Sequence, residues 1–204
     1  MSSMRAWIAG ATLLGAAAGT ADAQLNYTTA GRFGSTLATC SQLTAMNSVA
    51  CAFGGFTLTF TGTTGANVGS GSVVSLGTFA LTGTGNVTLP PPSITFDLFI
   101  NQTSPSVGSS SFVGLLSGSV STGAGGSMSS LIWSPNLTRS IGLATYTVIF
   151  DDIGPAAGRG IAIPINNDRG INAFVSVVPE PSTYLLMGTG LVALALTARR
   201  RKVS

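Results

Sequence analysis

"FTLTFT", residues 56–61, alternates without a break: Phe56, Leu58 and Phe60 fall on one face of an extended chain, and Thr57, Thr59 and Thr61 fall on the other. Such a segment is a strand with one buried and one solvated face. The same period of two recurs in "ITFDLFI" (94–100), which groups Ile94, Phe96, Leu98 and Ile100. It recurs again in "ATYTVIF" (144–150), which groups Ala144, Tyr146, Val148 and Phe150. Shorter candidates are "SVVSLGTFALTG" (72–83), "SFVGLLSGSV" (111–120), "SLIWS" (130–134) and "INAFVSVV" (171–178). Between them lie turn-forming stretches such as "TGTTGANVGSG" (61–71), "LPPPS" (89–93) and "STGAGGS" (121–127). No sustained helical stripe interrupts this pattern between residues 24 and 178. Many short alternating strands with glycine-rich turns predict an all-β domain, an antiparallel β-sandwich of which a jelly roll is one form.

The net positive charge lies at the ends of the chain. From Gln24 to Val178 only Arg32, Arg139, Arg159 and Arg169 face Asp97, Asp151, Asp152 and Asp168, so four positive charges meet four negative ones and the body is neutral. A neutral body has no basic surface to displace counterions from phosphates, which excludes nucleic-acid binding. Few charges and abundant Gly, Ser and Thr suit an extracellular β-protein.

Both ends read as routing signals. Arg5, the apolar run "AWIAGATLLGAAAG" and the small-x-small site Ala21-Asp22-Ala23 before Gln24 predict a secretory signal peptide over residues 1–23. The mature chain would then start at Gln24. Cys40 and Cys51, the only cysteines, both lie beyond that site and predict one structural disulfide in an oxidising compartment. At the other end, residues 182–198 are uncharged and marginally long enough for a transmembrane helix, and Arg199, Arg200, Arg201 and Lys202 follow as a basic tail that stays on the cytoplasmic side.

The residues just ahead of that span carry a family resemblance. Pro179-Glu180-Pro181, then Ser-Thr, an apolar stretch and the arginine cluster, resemble the PEP-CTERM sorting signal of Gram-negative bacteria over residues 179–204. The resemblance implies that exosortase, a membrane enzyme, recognises Pro179, Glu180 and Pro181 and cuts near them. The stretch ending in Arg199 to Lys202 would hold the chain in the inner membrane until then. It further implies a final place at the cell surface or in the extracellular matrix. Two prolines favour an extended backbone, the form a processing enzyme needs.

The middle of the chain, residues 24–178, limits its own chemistry. It has no His, Lys or Glu, and no free Cys once the disulfide forms. A Ser-His-Asp triad, a Ser-Lys pair and the common zinc sites are therefore impossible, which leaves only a two-carboxylate mechanism drawing on the four aspartates. Asp151 and Asp152 are neighbours in a strand-end turn and point different ways. The expectation is a non-enzyme without metal or cofactor: a structural or adhesive part of an exopolysaccharide or biofilm matrix. Its partners would be exopolysaccharide or further copies of itself. The alternative is a carbohydrate- or calcium-binding module, with Trp133 or Tyr146 as a stacking platform and Asp151, Asp152 and Asn166 to Asp168 as oxygen ligands.

Overall fold

The computed structural model describes residues 24–35, 39–40, 46–122, 129–150, 160–178 and 187–195. Within them the chain forms β1 (Leu25–Ser35), β2 (Thr39–Cys40), β3 (Ser48–Phe53), β4 (Phe56–Thr61), β5 (Thr64–Val68), β6 (Ser72–Gly83) and β7 (Asn86–Ser104). It continues with β8 (Gly108–Ser121), β9 (Ser129–Trp133), β10 (Thr138–Ile141), β11 (Ala144–Ile149), β12 (Gly160–Ile163) and β13 (Asp168–Val177). One sheet has the order β12-β9-β8-β7-β1-β5 and the other the order β10-β11-β13-β6-β4-β3-β2. All ladder pairs are antiparallel. Their inner faces share one apolar core, which makes the expected all-β sandwich.

Alternation decides which side chains enter that core. Phe56, Leu58 and Phe60 of β4 are buried, as are Ile94, Phe96, Leu98 and Ile100 of β7. The β3–β4 hairpin turns on Gly54 and Gly55, both at positive φ, and so pairs Phe53 with Phe56 and sets the register of the phenylalanines behind them. Phe96 is the hub of an aromatic block, with ring centroids 4.8 Å from Phe79, 4.9 Å from Phe60 and 5.0 Å from Phe33. Gly77, at φ 132°, leaves no room for a Cβ beside the Phe60 ring and the Thr61 carbonyl, next to an irregularity in the β6–β13 pairing. A side chain there would displace the ring.

Three expectations are corrected. "LPPPS" does not end a strand: β7 runs through it, and its pairing with β8 shifts register between Leu89 and Ile94. An irregular stretch of ladder is where proline, lacking an N–H, is tolerated. "TGTTGANVGSG" is only partly a turn, since Thr64 to Val68 form β5 on the sheet edge against β1. Phe150 does not join Ala144, Tyr146 and Val148 inside, because β11 ends at Ile149 and Phe150 is exposed. Of the expected span at 182–198, residues 187–195 are described and are helical; among the described residues no helix is long and apolar enough to cross a membrane. The rest of that stretch and the signal peptide, residues 1–23, lie outside the described residues.

Candidate functional site

The exit of the chain from the sandwich is built by β13, which lies between β11 and β6 and is hydrogen-bonded on both sides. That pairing continues to its last residue. The Ser70 hydroxyl accepts the Val177 N–H at 2.8 Å and donates to the Val177 carbonyl at 3.2 Å. One residue further, the Val178 N–H donates to the Leu143 carbonyl at 2.9 Å. Val177 is buried and Val178 is exposed, so the fold holds the chain up to the residue before Pro179. The expected recognition residues Pro179, Glu180 and Pro181 and the basic residues Arg199, Arg200, Arg201 and Lys202 lie outside the described residues. Between these two groups, the helix 187–195 exposes Met187, Leu191, Val192 and Leu194.

Residues 177–202 match the PEP-CTERM protein-sorting motif. They are the sorting tail of this chain. The protein is therefore exported, sorted by exosortase as its processing partner, and anchored at the membrane by this tail before processing. No curated protein and no solved structure matches the chain. The PEP-CTERM motif starts on the last strand residue, so domain and sorting signal meet with almost no linker.

The remaining expected residues are distributed as follows. Cys40 and Cys51 form a disulfide between directly opposed positions of β2 and β3. Gln24 is the first described residue, and its carbonyl accepts the Ser104 hydroxyl at 2.8 Å; Ala21 and Ala23 lie outside the described residues. Trp133 and Tyr146 are both buried, so neither offers a stacking platform to solvent. Asp97 is ion-paired with Arg32 on the outer face of its sheet, and Arg32 also covers the Phe99 ring. Asp151 and Asp152 lie outside the described residues, and Asp168 stands exposed at the start of β13. Among the described residues no three His, Cys, Asp or Glu side chains converge on a possible metal position.

Sequence reasoning missed a buried polar knot between the sheets. Gln102 of β7 is buried; its Oε1 accepts the Tyr146 hydroxyl at 2.8 Å, and its Nε2 donates to the Ser106 carbonyl at 2.8 Å and the Ile141 carbonyl at 3.3 Å. Tyr27 stands edge-on to Tyr146 at 6.2 Å and donates its hydroxyl to the Ser75 carbonyl at 2.6 Å. Burial pushes both tyrosine pKa values above the ordinary value, with the neighbouring Tyr27 adding to the effect on Tyr146. The one available signal was position, since Gln102 continues the inward series Ile94, Phe96, Leu98, Ile100.

Proposed function

We propose that the exported domain, residues 24–178, works outside the cell as a structural or adhesive part of an exopolysaccharide or biofilm matrix, and not as an enzyme. The observation that carries this reading is the outer face of the seven-stranded sheet. There Thr57, Thr59 and Thr61 of β4 lie beside Thr78 and Thr82 of β6, and Thr138–Thr147 and Ser140–Thr145 are hydroxyl pairs at 3.2 and 3.1 Å. Such a surface offers hydroxyl donors and acceptors, with the Asp168 carboxylate at its margin. It suits contact with a hydroxyl-rich polymer or another copy, and the neutral body adds little repulsion between copies. Retention would then depend only weakly on salt.

In a Gram-negative host, exosortase would act on Pro179-Glu180-Pro181 while the apolar stretch 182–198 and the basic residues Arg199 to Lys202 hold the precursor in the inner membrane. Replacing the three motif residues by alanine is expected to leave the full tail in that membrane. Shedding as efficient as the parent's would overturn the processing route. For the matrix role, fractionation of biofilm from parent and deletion strains should find the processed protein with the matrix at both low and high salt. A freely soluble monomer, with an unchanged matrix on deletion, would sink it.

A further inference from the structure

The edge of the seven-stranded sheet carries a notch. β13 begins at Asp168, but β11 ends at Ile149 opposite Asn172, so residues 168–171 have no described strand beside them on that side. The gap is a depression of about 190 Å³ lined by Asp168, Arg169, Gly170 and Asn172 of β13, Ile149 of β11 and Ile161 of β12. Roughly 300–1,000 Å³ is usual for ligand clefts, so this one holds a single small ring. Neither Asp168 nor Asn172 is engaged in a side-chain hydrogen bond or ion pair with any described residue. Two residues beyond Asn172 on the same face stands Phe174, exposed and flanked by the cross-strand partners Thr147 and Val73. Unlike the half-buried outward Phe99, whose ring Arg32 covers, Phe174 is an exposed apolar platform at the mouth of a polar notch.

We propose that this notch and Phe174 form a binding site for a neutral polysaccharide segment, one sugar ring entering the depression and the next lying on the Phe174 ring. The inference rests on the matrix reading and names the side chains that make the contact. A carboxylate accepts from two sugar hydroxyls and an amide both donates and accepts, while Ile149 and Phe174 meet the C–H faces of the rings. Successive same-face residues of a strand are about 6.6 Å apart, so the depression beside Asn172 and the Phe174 ring lie within reach of adjoining units. A uronate would meet the exposed Asp168 carboxylate with like charge. Neutral chains are favoured.

The test uses the processed protein recovered from the host surface or medium, applied to an array of neutral hexose oligosaccharides of two to six units and of uronate oligomers. Binding to neutral members is expected. It should weaken by about tenfold in Asp168→Asn and in Asn172→Ala, the loss of a hydrogen bond in each case. Phe174→Ser should weaken every chain from the disaccharide up, since two units already reach its ring, and Ser119→Ala, exposed on β8 of the other sheet, should bind as the parent does. Circular dichroism melts identify any variant that is misfolded, and Asp168→Asn, an isosteric change at an exposed position, keeps the test open if another fails. No binding to neutral glycans, stronger binding to uronates, or parental binding by both notch variants would overturn the proposal. Matrix fractionation separates this from the broader reading: if Asp168→Asn/Asn172→Ala stays in the matrix as the parent does, the notch is wrong and the matrix role stands.

Discussion

Strand β7 meets two different environments on one face. At Phe96 it enters the aromatic block, where Phe33, Phe60 and Phe79 surround it within 5.0 Å and contact is apolar and without direction. Six positions later on the same inward face, Gln102 enters a pocket of carbonyls and the Tyr146 hydroxyl, where contact is directional and each group needs its partner. Both positions are buried and both join the two sheets. The alternation of β7 places a side chain inside, but it does not say whether dispersion or hydrogen bonding will hold it there.

The comparison can be broken most forcefully at its apolar end. Phe96→Ala in the processed protein should cost about 4 kcal/mol, the transfer loss plus the cavity left among three rings, read from denaturant midpoints. A loss below about 1 kcal/mol would mean that the block collapses into the space and is not tightly packed. At the polar end, Gln102→Leu should cost about 2 kcal/mol by orphaning the Tyr146 hydroxyl and taking the amide donor from the Ser106 carbonyl, while the Ile141 carbonyl keeps the Ser106 hydroxyl. Adding Tyr146→Phe should recover part of that cost, because the hydroxyl that lacked a partner is gone. Equal stability of the single and double variants would deny the coupling.

The smallest expected effect is in pH dependence. Tyr27 and Tyr146 keep their protons in the fold above the ordinary tyrosine value of about 10, whereas the unfolded chain releases them there. Unfolding then releases protons, so the contribution is complete below pH 10 and is lost as pH rises above it. Thermal midpoints should fall more steeply above pH 10 in the parent than in Tyr146→Phe, and parallel curves would remove the buried tyrosine from the account. The aromatic block has no titratable group and should show no such slope.

The strands that were legible are those whose inward series is apolar throughout, such as Phe56, Leu58, Phe60 or Ile94 to Ile100. β1 was missed because its inward series, Leu25, Tyr27, Thr29, Gly31, Phe33, is broken by a threonine and a glycine. Thr29 is nevertheless buried, because its hydroxyl exchanges hydrogen bonds with the backbone of Thr63. β12 was missed for the opposite reason. Its "GIAI" is buried at Gly160, Ile161 and Ile163, so it lacks alternation. The stacking role imagined for Trp133 and Tyr146 failed on burial, and Phe174 was read only as part of a strand, since local period does not tell which aromatic stays outside.

What the sequence by itself determined is therefore the all-β class, the facing of its most regular strands, the disulfide pairing and the sorting tail. Each depends on neighbours in the chain or, for the cysteines, on there being only two. Tertiary structure alone decided the polar knot, the clamp on the chain exit and the notch. Gln102 meets the Ile141 carbonyl 39 residues away, and Ser70 meets Val177 across 107 residues. The notch lies where the described β11–β13 pairing ends, at Ile149 opposite Asn172. Such partners are set by register across two sheets, and register comes from the packing of the whole core.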